Sequence, residues 1–105
     1  MSFERKCKNC ERVYEYKLGA NYIVFCPYCQ KADCLECEYG YGPVVPCYVY
    51  LGKEEIAMVS YHDRSQRQYR YDSSRFNVHQ MLEHTYLEAL HEACNITSEL
   101  LQLSK

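Results

Sequence analysis

Cys7-Lys8-Asn9-Cys10 and Cys26-Pro27-Tyr28-Cys29 stand fifteen residues apart, and that spacing is the clearest chemistry in the chain. Two thiols separated by two residues can both point inward from one tight turn. A pair of such turns brought face to face offers four sulfurs to a tetrahedral ion, most often Zn²⁺. Four cysteine ligands leave no position open for a substrate or an activated water, so Cys7, Cys10, Cys26 and Cys29 are expected to form a structural zinc site.

A third pair, Cys34-Leu35-Glu36-Cys37, follows four residues after Cys29. To hold a second zinc it needs two more ligands, and the candidates are Cys47 together with Cys94 or His91. Cys47 comes just after a glycine-containing turn that could fold it back toward Cys37. His91 and Cys94 are three apart on a helical stretch, close enough in angle to share one ion. Cys47 and Cys94 also read as ordinary buried core thiols. Another combination joins Cys7 and Cys10 to Cys34 and Cys37 across a longer loop of 23 residues, leaving Cys26 and Cys29 for a different site.

A second candidate stretch runs Tyr61-His62-Asp63-Arg64-Ser65-Gln66-Arg67-Gln68-Tyr69-Arg70-Tyr71-Asp72-Ser73-Ser74-Arg75. Arginine pairs with phosphates and stacks on bases, and tyrosine offers a flat face, so Arg64, Arg67, Tyr69, Arg70, Tyr71 and Arg75 are candidates for contact with DNA or RNA. Arg64 and Arg70 share one strand parity, while Arg67, Tyr69, Tyr71 and Arg75 share the other, so no single face collects every basic group. The competing reading is a solvated hairpin whose tyrosines pack on a helix.

With 105 residues and a net charge of −2, the chain has room for one small core, which metal commonly supplements at this size. Met1 to Lys6 has no signal-peptide character, and the longest apolar runs are too short to span a bilayer. A cytoplasmic location is therefore expected, without a membrane partner, and in that reducing setting paired cysteines are metal ligands rather than disulfides. Charge is uneven: residues 1 to 31 carry six basic and three acidic side chains, and residues 61 to 76 carry four arginines and two aspartates. An enzyme is not expected. No glycine-rich phosphate loop or Ser/His/Asp arrangement is visible, and His91-Glu92-Ala93-Cys94 reverses the order a zinc deaminase requires.

The elements that must position these groups follow from periodicity. Val13 to Lys17 alternates like a half-buried strand, Gly19 to Asn21 supplies turn residues, and Tyr22 to Phe25 is β-branched and aromatic, so a hairpin is expected to join the two knuckles. This arrangement resembles a zinc ribbon over residues 3 to 31, a small β module of transcription factors, polymerase subunits, ribosomal proteins and primases. The two-knuckle layout is also similar to that of rubredoxins, which would imply iron. Here Glu11 and Gln30 follow the pairs where a rubredoxin-like loop favours glycine. Cys26-Pro27-Tyr28-Cys29 further resembles the glutaredoxin motif, but Gln30 to Cys34 leaves no room for the helix that would activate its first thiol.

Beyond Gly40-Tyr41-Gly42-Pro43, the runs Val44 to Leu51, Ile56 to Tyr61 and Gln68 to Tyr71 read as three strands. Gly52 to Glu55 makes the first turn, and Pro46 suggests an edge or a bulge. Asn77 reads as a helix N-cap, with Gln80 completing a capping box and Phe76 stapling onto Met81. From there Val78, Leu82, Tyr86, Ala89, Leu90, Ala93, Thr97 and Leu100 line one side, opposite His84, Glu88, His91, Asn95 and Glu99.

The expected architecture is α+β: an N-terminal zinc-ribbon lobe, residues 1–38, then a three-stranded antiparallel sheet packed on one long C-terminal helix, residues 39–105, together one compact unit. The twelve tyrosines, several at period two, suit protein interfaces. The expected function is that of a non-enzymatic zinc-binding regulator or adaptor docking onto a larger protein assembly, such as transcription or replication machinery. Direct DNA or RNA binding through residues 61–75 is the alternative.

Overall fold

The computed structural model describes residues 2–17, 22–36, 46–63, 65, 68–82 and 85–103. Strand β1 (Ser2–Lys6) pairs antiparallel with β2 (Val13–Lys17) in a two-stranded sheet. The remaining strands are β3 (Tyr22–Phe25), β4 (Ala32–Glu36), β5 (Cys47–Leu51), β6 (Glu54–Asp63), β7 (Gln68–Ser73) and β8 (Val78–Met81). They form one six-stranded sheet in the order β4-β3-β5-β6-β7-β8. Helix α1 (Tyr86–Leu103) closes the chain.

The protein is thus α+β with a single C-terminal helix, but its main sheet has six strands rather than three. Two of the extra strands, β3 and β4, enter through β3, and the third, β8, occupies residues expected to begin the helix. All four residues of β3 are buried, and a short continuous apolar run of this kind belongs in the middle of a sheet, covered on both faces. β3 lies between β4, antiparallel, and β5, parallel. It therefore does not form the expected hairpin with β2, whose partner is β1. Each knuckle is instead the turn of its own hairpin, β1 to β2 and β3 to β4. The expected turn at Gly19 to Asn21 lies outside the described residues, as do Gly40 to Val45.

Pro46 stands just ahead of β5 rather than inside it, so a central strand loses no ladder hydrogen bond to proline. After β5 the chain reverses at Gly52, whose φ of +61° is the left-handed conformation glycine adopts without strain. A side chain there would also crowd Pro27 Cγ, 3.3 Å from an added Cβ.

One face of the sheet and the helix enclose the main core. In register across the sheet, Ile23 meets Val49, Val49 meets Ala57, Val59 meets Tyr71 and Tyr61 meets Tyr69. Buried Tyr86, Ala89, Leu90, Ala93, Thr97 and Leu101 supply the helix side. The exposed side of the helix carries Glu88, His91, Asn95 and Glu99 as the periodicity requires. Leu101 rather than Leu100 completes the buried stripe.

The helix starts eight residues later than Asn77 as N-cap would place it. Asn77 instead turns β7 into β8 with φ +54°, a left-handed conformation that asparagine tolerates better than most residues. The cap is Thr85: its hydroxyl accepts the Glu88 amide at 3.2 Å, and its carbonyl accepts Ala89 N–H at 2.9 Å. Thr85-Tyr86-Leu87-Glu88 is the capping-box pattern that marks this start in the sequence. No helix of the described residues is long and apolar enough to cross a membrane.

Candidate metal centre

The two knuckles share one backbone design. Cys7 N–H donates to Arg12 O at 2.9 Å and Glu11 N–H to Cys7 O at 2.9 Å; Cys26 N–H donates to Lys31 O at 3.1 Å and Gln30 N–H to Cys26 O at 2.8 Å. To close this loop the residue after each second cysteine turns left-handed, Glu11 at φ +64° and Gln30 at φ +60°. Those are the positions where rubredoxin-like loops favour glycine, and the chain bends there without it.

Set against each other, the knuckles bring the four sulfurs of Cys7, Cys10, Cys26 and Cys29 within 4.8 Å of one another. Cys7 Sγ lies 3.6 Å from Cys29 Sγ, and Cys10 Sγ 3.6 Å from Cys26 Sγ. A regular tetrahedron with metal–sulfur bonds of about 2.3 Å has edges of about 3.8 Å. The cluster therefore has the size and donor set to hold a metal ion such as zinc. This grouping joins Cys7 and Cys10 to Cys26 and Cys29, the shorter of the two pairings the spacing allows.

Backbone amides are already aimed at the sulfurs. Cys7 Sγ accepts from Asn9 N at 3.3 Å and Cys10 N at 3.5 Å, and Cys26 Sγ accepts from Tyr28 N at 3.4 Å. Burial acts to raise the Cys7 pKa, but the amides of Cys10 and Asn9 and the neighbouring thiols outweigh it and lower it to about 7. Burial pushes Cys26 up to about 12 and moves Cys29 upward as well. Cysteine binds metal as thiolate, so ion binding releases protons.

The centre is tied to the main sheet by a residue that spacing did not single out. Asp33 is the extra residue at a register shift in the β3–β4 ladder, where Val24 pairs with Cys34 and Phe25 with Ala32. Such a bulge re-aims a side chain. The buried Asp33 carboxylate accepts from Arg5 Nε at 2.7 Å, Lys8 N at 2.9 Å and Tyr14 OH at 2.5 Å. Burial alone would raise its pKa, but Tyr14, Lys8 and Arg5 together hold it below the usual carboxylate range. The same burial and the adjoining carboxylate raise Tyr14 well above an ordinary phenol. Arg12, closing the first knuckle, lies 5.2 Å over the ring of Tyr28 in the second.

The remaining candidates lie elsewhere. Cys34 runs in β4 rather than in a knuckle turn, and Cys37 falls outside the described residues. Cys47 is fully buried in the helix-side core, Cys94 packs against that core, and His91 is exposed on α1. The tetrathiol cluster belongs to the other, smaller core, with Tyr14, Tyr22 and Val24. Among the described residues no other group of three or more potential ligands converges.

In the arginine and tyrosine stretch, Tyr69 and Tyr71 are 2% and 0% exposed. Tyr69 lies between Tyr61 and Tyr86 at 5.3 and 5.6 Å, and Tyr71 OH is 2.9 Å from Thr97 Oγ1. Neither ring is available to stack on a base. Arg70 pairs with Asp72 at 2.9 Å and Arg75 with Glu54 at 2.8 Å; Arg64 and Arg67 lie outside the described residues. Comparison with protein-family models, with curated proteins and with solved structures finds no match for this chain.

Proposed function

We propose that this chain is a small non-enzymatic zinc-binding regulator or adaptor whose zinc-ribbon-like lobe docks onto a larger protein assembly, such as transcription or replication machinery. One observation carries the reading: a centre with four sulfur donors, closed to substrate, lies beside large apolar side chains turned to solvent. Val13 and Tyr28 are 54% and 55% exposed. They border a groove of about 320 Å³ lined also by Glu4, Glu15 and Pro27.

Glu4 and Glu15 face each other across the β1–β2 pair, and Glu15 is paired with Lys53 Nζ at 2.9 Å. A partner segment offering lysine or arginine next to an apolar side chain would meet Glu4 in the groove while covering Val13 and Tyr28. Zinc with four thiolates would add about −2 to the same lobe, offsetting much of the basic excess of residues 1 to 31. The burial of Tyr69 and Tyr71 supports this reading over the alternative, direct DNA or RNA binding through residues 61–75.

Native mass spectrometry should find one zinc per chain, and affinity capture from the native host should recover a partner. The double variant Val13→Ser/Tyr28→Ser should keep its zinc and lose that partner. Capture unchanged in the double variant would overturn the reading. Binding of a fluorescent oligonucleotide that weakens steeply with salt would support the alternative instead.

A further inference from the structure

The six-stranded sheet has two edges, and they are treated differently. At β4, Asn9 Nδ2 donates to Ala32 O at 3.2 Å, the ladder carries a bulge, and the Asp33 carboxylate gathers three donors from the tetrathiol lobe. Bulges, charges and covering groups are the usual ways an edge is kept from pairing with another chain. At β8 the sequence is Val78-His79-Gln80-Met81, with no lysine, proline or acidic residue, and its register with β7 is unbroken.

The ladder shows which groups of β8 point outward. Leu82 N–H donates to Tyr69 O at 2.9 Å. With Tyr71 opposite Gln80 and Ser73 opposite Val78, these are the pairs that exchange hydrogen bonds, because such pairs alternate along an antiparallel ladder. The N–H and C=O groups of His79 and Met81 therefore project from the far side of β8. Among the described residues no strand lies there.

We propose that β8 pairs antiparallel with β8 of a second copy of this chain, joining two six-stranded sheets into one. The match is self-complementary. With the two-fold axis at Gln80, His79 of one copy faces Met81 of the other, and the reverse pair follows by symmetry, so every outward group of both strands finds a partner.

The side chains agree with this. Met81 is 45% exposed, and a hollow of about 180 Å³ bordered by His62, Arg70 and His79 lies beside it, able to take the methionine of the second copy. Charge does not oppose the approach. Arg70 Nε and Nη2 contact Asp72 Oδ1 at 3.1 and 2.9 Å, and His79 Nδ1 reaches the same oxygen at 2.7 Å. The Arg70 cation is therefore balanced within its own copy, and the Asp72 contact holds the His79 ring in place. Because the pairing uses up the open edge of each copy, it stops at two chains. It stands apart from the metal reading, since β8 and the lobe lie at opposite ends of the sheet.

The test is sedimentation equilibrium of the metal-loaded full chain from about 1 to about 200 μM, a range that brackets weak and moderate association. The apparent mass should rise from 12.5 kDa toward twice that value. Met81→Lys should weaken the dimer at least about tenfold. Met81→Pro, which removes an outward N–H and no β7–β8 hydrogen bond, should do the same. A mass fixed at that of one chain throughout, or folded variants that associate like the wild type, would overturn the proposal. Hydrogen exchange of the wild type gives a readout independent of variant folding. The His79 and Met81 amides should become protected as concentration rises, and exchange indifferent to concentration would also overturn it.

Discussion

The tetrathiol lobe and the sheet–helix body lie a few residues apart and hold their shapes by different means. The body buries Ile23, Phe25, Val49, Val59, Tyr69, Tyr71, Leu90 and Leu101 almost completely, so apolar burial suffices to order it. The lobe's core has Cys7, Tyr14, Tyr22, Val24 and Cys26, largely sulfur and phenol. A core of that size does not offset the entropy of ordering two hairpins, which is why small modules add metal. What stands in for apolar mass is a set of directed contacts: four converging sulfurs, and one carboxylate that takes donors from β1, β2 and the first knuckle. Where greasy surface is scarce, a few polar groups at fixed geometry decide the shape.

Three experiments sharpen that contrast. The largest effect should come from removing the metal. A strong chelator, or Cys26→Ser, is expected to collapse amide dispersion across residues 2–17 while β5 to β8 and α1 keep their protection, because the ion supplies much of the lobe's ordering energy. NMR spectra of that region unchanged by chelation would show that the lobe needs no ion.

Next is Asp33→Asn, which should cost about 3 kcal/mol, as losing one partner of a buried, hydrogen-bonded charge does. Denaturant unfolding at saturating zinc would measure it. The folded Asp33 pKa is lowered, so its contribution is complete above the ordinary carboxylate pKa of about 3.9 and fades as pH falls through the depressed folded value. The gap between wild type and variant should narrow in that acid range; a gap independent of pH would remove Asp33 from the account.

The smallest effect is a gain. Gln30 turns left-handed and leaves its Oε1 buried without a hydrogen-bond partner among the described residues. Gln30→Gly should relieve both and stabilise the zinc-loaded protein by about 1 kcal/mol, after allowance for glycine's greater freedom when unfolded. A loss of stability would mean that the Gln30 side chain contributes favourable contacts that outweigh the strain.

Much of the site was legible because cysteine spacing is a local constraint. Two residues between thiols shape a knuckle, and the six-residue turns at Cys7 to Arg12 and Cys26 to Lys31 repeat one hydrogen-bond pattern. Strands β5 to β7 were legible for a similar reason, alternation in Val59, Tyr61, Tyr69 and Tyr71 marking one buried face, whereas β8 read as the start of the helix. What misled was local chemistry with two uses. Asn77 suits a helix cap and a left-handed turn equally, and only its place between β7 and β8 selects the turn. The tyrosines of residues 61–75 suit stacking on a base and packing in a core, and the helix that covers them made the choice.

By itself the order of residues determined that paired thiols would form knuckles able to meet, and that the last stretch would be an amphipathic helix, since each follows from spacing within a turn or a few turns of chain. Tertiary structure alone decided that β3 sits between β4 and β5, that a bulge turns Asp33 toward the lobe, and that β8 is the last strand of the sheet among the described residues. Those outcomes depend on which distant strands become neighbours. A strand carries its own alternation in its side chains, but the backbone groups that choose a neighbour are the same in every residue save proline.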